Sequence, residues 1–131
     1  MGIKTTGQFK IISPKTVETN KRIKYDTVNL SNNCLQYING GILIKAKGLY
    51  RITGSFIFQA LKSNIYGLEL KTDELIAVAK ANINGEEYAT LNFDTLICVK
   101  GVTCAEFANL VLKNLQEVVI ESGELNIEKI A

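Results

Sequence analysis

The sequence predicts an all-β chain, the short strands of a sandwich or barrel, and three observations carry that expectation. From Tyr25 onward, apolar runs rich in Ile, Tyr, Phe and Val are cut roughly every ten residues by Asn, Gly or Asp, the punctuation of short strands. The stretch GLYRITGSFIF, Gly48 to Phe58, alternates: Tyr50, Ile52, Gly54, Phe56 and Phe58 share one side, and Leu49, Arg51, Thr53, Ser55 and Ile57 the other. Finally, 131 residues with 47% hydrophobic and 21% charged side chains suit one ordinary domain with its own core, and exclude a largely disordered chain.

Residues 1–24 are polar and weakly patterned, a basic N-terminal arm or first strand ahead of a domain spanning 25–131. Lys4, Lys10, Lys15, Lys21, Arg22 and Lys24 face only Glu18 there. Neither a Gly-rich phosphate loop nor an aromatic stacking pattern accompanies the charges, so a solvated arm is expected and nucleic acid is not. YDTVNL, CLQYI and ILIKA read as strands, with turns at Asn39-Gly40-Gly41 and Lys47-Gly48. Two later segments are open to both readings. TDELIAVAKAN suits a helix capped by Asp73 and running through Ile76, Ala79 and Lys80. The longer NIYGLELKTDELIAVAK also reads as a hairpin, with Tyr66, Leu68 and Leu70 alternating before a turn at Lys71-Thr72-Asp73-Glu74 and Ile76 and Val78 after it. In CAEFANLVLKNLQEVV, Phe107, Leu110, Val111, Leu115 and Val118 recur at helical spacing, while Ala108, Leu110 and Leu112 alternate as on a strand.

Catalytic chemistry finds little here. The chain has no histidine and no CxxC, which excludes the usual zinc sites and a Cys/His nucleophile pair. Cys34, Cys98 and Cys104 are expected as small buried hydrophobes in a reducing compartment. Glu86 and Glu87 are adjacent, so on a strand they point to opposite faces and make poor acid/base partners. Asp94 and Glu87 lack a calcium loop of the DxDxDG kind. No enzymatic activity, metal or cofactor is expected. The N-terminus has no stretch resembling a signal peptide, which implies synthesis in the cytoplasm. The most apolar window, residues 42–61, contains Lys45, Lys47 and Arg51 and is not a membrane span.

The run KGLYRITGSFIFQ, Lys47 to Gln59, resembles the central strand of the tumour necrosis factor and complement C1q-like jelly-roll superfamily, where a turn glycine, one residue and a tyrosine open an alternating strand. FDTLICVKGVTCAEFANLVLKN resembles the penultimate hairpin of that superfamily. EVVIESGELNIEKIA resembles its closing element, a short Ser-Gly turn before a terminal strand. The likeness spans about Gly41 to Ala131. The short, Asn-, Ile- and Lys-rich texture is similar to bacterial and bacteriophage members of the fold.

The resemblance implies a two-sheet antiparallel jelly roll that associates as a trimer, edge to face about a threefold axis. It sets the strand from Gly48 to Phe58 beside the terminal strand from Glu124 to Ala131. Tyr50, Ile52, Phe56, Phe58, Leu125 and Ile127 then lie between the sheets. Arg51, Thr53, Ile57, Asn126, Glu128 and Ile130, with Leu91 and Phe93 from a neighbouring strand, face the other subunits, and Arg51 comes near Glu128. Relatives often carry aromatic groups where Arg51 and Thr53 stand. The implied function is a non-enzymatic homotrimeric structural or binding head of a bacterial or phage surface assembly, located on a virion or cell surface and contacting a host-surface glycan or a viral structural protein. Alternatives are a capsid or virion decoration protein, with the basic segment against an acidic surface, and a small hydrolase on the same scaffold.

Overall fold

The structure, a computed structural model, describes residues 4–18, 21–72, 75–111 and 117–131. Its strands are β1 (Thr6–Ile11), β2 (Lys15–Glu18), β3 (Thr27–Leu30), β4 (Leu35–Ile38), β5 (Gly41–Ile44), β6 (Gly48–Ala60), β7 (Asn64–Lys71), β8 (Leu75–Ile83), β9 (Tyr88–Val99), β10 (Thr103–Val111) and β11 (Glu117–Lys129). No helix occurs among the described residues. Two antiparallel sheets form an all-β jelly-roll sandwich. The first runs β3-β1-β11-β6-β9 with β2 also on β11, and the second β4-β5-β10-β7-β8.

The alternation of β6 decides what goes between the sheets. Side chains two apart on a strand share a face, so Tyr50, Ile52, Phe56 and Phe58 point inward and are fully buried, joined from β11 by Leu125 and Ile127. Phe56 is the hub of an aromatic cluster. Its ring stacks on Phe93 at 6.2 Å with an interplanar angle of 6°, and meets Phe58 at 6.3 Å and Tyr25 at 6.4 Å. Tyr25 in turn packs on Phe9 at 5.5 Å. Burial in this cluster pushes the Tyr25 phenol above its ordinary range.

The described residues of both segments that suit a helix by periodicity are in strands. β8 pairs with β7 from Lys71↔Leu75 to Asn64↔Ile83, and β10 pairs with both β5 and β7. A helical stripe and a strand alternation coexist in these apolar runs, and the neighbouring strands select the strand by supplying ladder partners for the backbone. Asp73, Glu74 and residues 112–116 lie outside the described residues.

The Ser-Gly pair expected as a turn, Ser122-Gly123, is instead paired within β11, opposite Ile57 and Phe56 of β6. The register against β6 shifts between Ile120 and Ser122, and the strand continues. The reading of the cysteines as buried also fails. Cys98 and Cys104 are exposed and Cys34 half-buried, because Cys98 sits on the outward parity of β9, between the buried Ile97 and Val99.

The basic leading segment supplies β1 and β2 to the first sheet and puts Phe9, Ile11 and Val17 into the core. Asp26 fastens the link after β1. Its carboxylate accepts Lys15 Nζ at 2.7 Å and the backbone N–H groups of Ser13 at 3.1 Å and Ile12 at 2.7 Å. These bonds, the Lys15 one foremost, hold its pKa down to about 2 from 3.8. A depressed carboxylate contributes stability above its unfolded pKa and loses it as pH falls through the folded one. Asp26→Asn should therefore lower the urea midpoint at neutral pH, and the gap to the wild type should close as pH drops from 3.8 toward about 2. Urea titrations across that range check this, and a gap independent of pH contradicts it.

Candidate subunit interface

The outward face of the first sheet is built row by row from the ladder registers. One row runs Asn29, Gln8, Asn126, Thr53, Asp94 from β3 across β1, β11 and β6 to β9. Beside it lie Thr6, Glu128, Arg51, Leu96 on one side and Thr27, Lys10, Glu124, Ser55, Asn92 on the other. The centre of the face is thus polar. Its ends are apolar: Leu49 and Leu96 with Ile130 near the chain termini, Ile57 and Tyr88 at the far end. Leu96 is 56% exposed and Tyr88 61%.

The polar centre is internally paired. Arg51 donates to Asp94 as a two-pronged fork, Nε to Oδ1 at 3.0 Å and Nη2 to Oδ2 at 2.5 Å. The guanidinium holds the Asp94 carboxyl below the usual carboxylate range, and Asp94 reciprocally pushes the Arg51 pKa up. Lys4 is ion-paired with Glu128. Gln8 Nε2 donates to Glu124 Oε1 at 2.6 Å, and Lys10 stands opposite Glu124 in the register. An open groove of about 430 Å³ crosses this region, lined by Gln8, Asn29, Ser31, Asn126 and Glu128 among others.

Of the residues expected on this face, Arg51, Thr53, Ile57, Asn126, Glu128 and Ile130 are exposed or half-buried. Leu91 and Phe93 are not on it: at 3% and 8% exposure they belong to the core. The reason is register. Phe56 pairs with Leu91 and Gly54 with Phe93, so both side chains share the inward parity of β6. Glu128 is beside Arg51 as expected, but the ion pair of Arg51 is made elsewhere. Glu128 lies directly across from Arg51 on β11, yet the guanidinium forks onto Asp94 on β9, while Glu128 takes Lys4.

Sequence reasoning missed Asp94, Lys4, Gln8, Lys10 and Glu124 as members of the face. A signal for the first was present. In LNFDTLICV, the apolar Leu91, Phe93, Ile97 and Val99 share one parity, which consigns Asn92, Asp94 and Leu96 to the other. Among the described residues, no group of three His, Cys, Asp or Glu side chains could hold a metal ion.

No family model matches the chain, and no curated protein does. Its similarity lies in the fold. The globular domain of zebrafish complement 1qA protein superposes with a TM-score of 0.78 at 9% identity, covering 98% of each chain. Eiger TNF from S. frugiperda gives 0.75 at 8% identity, covering 98% of this chain and 93% of that one. Murine APRIL at pH 5.0 gives 0.72 at 6% identity, covering 98% and 100%. At such identities the likeness speaks for the jelly-roll sandwich and nothing finer.

Proposed function

We propose that the chain is a non-enzymatic, self-associating structural or binding head, a homotrimer that belongs to a bacterial or phage surface assembly and touches a host-surface glycan or a viral structural protein. The observation that carries this reading is the outward face of the first sheet. It is broad, Arg51, Asp94, Lys4 and Glu128 at its centre already have partners within the subunit, and exposed Leu96, Ile130, Ile57 and Tyr88 frame it. Paired charges lower the cost of desolvating such a face against another copy, and the apolar ends supply the favourable burial. Three weak outward contacts on one assembly then act together through effective concentration. The fold shared with the complement 1qA and TNF domains is consistent with this role.

Native mass spectrometry at micromolar concentration tests the assembly. A species of three chains is expected, and a monomer removes the reading. A glycan screen with the assembled species then addresses what its exposed loops contact.

A further inference from the structure

We infer that one end of the sandwich binds a sulfated polysaccharide through lysines that have no partner within the fold. This rests on the glycan contact just proposed and gives it a chemical class and a place on the chain. Two connections cross from sheet to sheet at this end. Residues 45–47 carry the chain from β5 to β6, and residues 100–102 carry it from β9 to β10. They run side by side, because β6 pairs with β9 through Gly48↔Val99 and β5 pairs with β10 through Ile44↔Thr103. Paired strands lie about 4.8 Å apart, so Lys45 and Lys47 on one connection stand beside Lys100 on the other. Lys129 of β11 joins them, since a Cβ built on Gly48 would stand 2.5 Å from its Cε. Lys45, Lys47 and Lys100 are exposed and Lys129 is half-buried.

These cations differ from those on the outward face of the first sheet. There Arg51 has Asp94 and Lys4 has Glu128. Among the described residues, none of the four lysines at the end has an ion-pair partner, and neither connection carries an Asp or Glu. Asp73 and Glu74 lie outside the described residues. Backbone donors accompany the lysines: the N–H groups of Gly101 and Val102 make no backbone hydrogen bond among the described residues. Nothing lies within 4 Å of a Cβ built on Gly101, so the turn is open to an incoming group. Unpaired positive charge beside free donors calls for an anion. The residue type narrows the choice. An ammonium is a compact point charge with three rotatable donors and suits the tetrahedral oxygens of a sulfate ester, whereas the planar fork of arginine, absent from both connections, matches a carboxylate. Single-stranded nucleic acid wants aromatic platforms for its bases. The aromatic side chain beside these connections, Tyr50, is fully buried and donates its hydroxyl to the Ala46 carbonyl at 2.6 Å. In a cyclic assembly equivalent points lie at one height along the axis, so three copies set three such clusters on one ring that a long polyanion can span.

Titration calorimetry of the full chain with dextran sulfate, unsulfated dextran and a single-stranded oligonucleotide separates the outcomes. Dextran sulfate is expected to bind and dextran is not, with affinity falling as salt rises from about 0.05 M to about 0.2 M. The variant Lys45→Gln, Lys47→Gln, Lys100→Gln alters only exposed side chains and should keep the circular dichroism and oligomeric state of the wild type. It should bind dextran sulfate at least about tenfold more weakly and lose about one unit of salt slope per lysine removed. The variant Lys21→Gln, Lys24→Gln, in the basic leading segment, should bind as the wild type does. Unchanged binding by the first variant, or a loss confined to the second, overturns the site. An oligonucleotide bound as tightly as dextran sulfate overturns the sulfated class. Three chains in the native mass spectrum without dextran sulfate binding overturn this inference and leave self-association standing. A monomer that binds dextran sulfate and loses it in the first variant supports the site and removes the assembly.

Discussion

Phe56→Ala is expected to destabilise the domain by about 3–5 kcal/mol, the range for truncating a large aromatic in a close-packed core. The upper half of that range is the expectation here, because the site is poorly able to collapse. The ring is fully buried, stacked on Phe93, and touched by Phe58 and Tyr25. Its removal withdraws a partner from three other aromatic side chains and leaves a cavity between two sheets whose spacing is fixed by the rest of the sandwich. Urea unfolding of the two proteins measures it, and a loss below about 1 kcal/mol would mean that the cluster repacks freely.

Filling space beside the same ring should also hurt. Gly123 of β11 lies opposite Phe56 in the ladder. A Cβ built there would overlap the Phe56 ring at Cδ1 and stand 2.8 Å from Cε1. A flexible side-chain end could swing away, but Phe56 is held by Phe93 on one face and by its other neighbours around the edge. Gly123→Ala is therefore expected to cost about 1–3 kcal/mol through overpacking. The two substitutions should be strongly non-additive. In the Phe56→Ala background the clash is gone, and Gly123→Ala should cost a few tenths of a kcal/mol or less. Equal costs in both backgrounds would show that the ring is not what excludes the methyl group.

These two residues illustrate how differently the sequence speaks. Phe56 announces itself by alternation with Tyr50, Ile52 and Phe58, because burial on one face of a strand leaves a period of two in the chain itself. Gly123 gives no such signal. In isolation Ser122-Gly123 reads as turn chemistry, and only the arrival of the Phe56 ring from the neighbouring strand explains why a residue without a side chain stands in mid-strand. Leu91 and Phe93 fall between these cases. Their parity within LNFDTLICV matches the core, whereas the resemblance set them outward, and the pairing of β9 with β6 turns them inward.

The inward side of β6 was legible from the amino acids alone, because alternation along one strand depends only on neighbours within a few positions. The choice of strand over helix for β8 and β10 was not, since the same apolar spacing serves both and only a partner strand breaks the tie. Nor was the composition of the outward face. Asp94 is 43 residues from Arg51, and Glu128 is 124 from Lys4, so their pairing follows from ladder register and sheet order, which are set by the packing of the whole sandwich. Local patterning determined which side chains go inside; long-range pairing decided which charges meet on the outside.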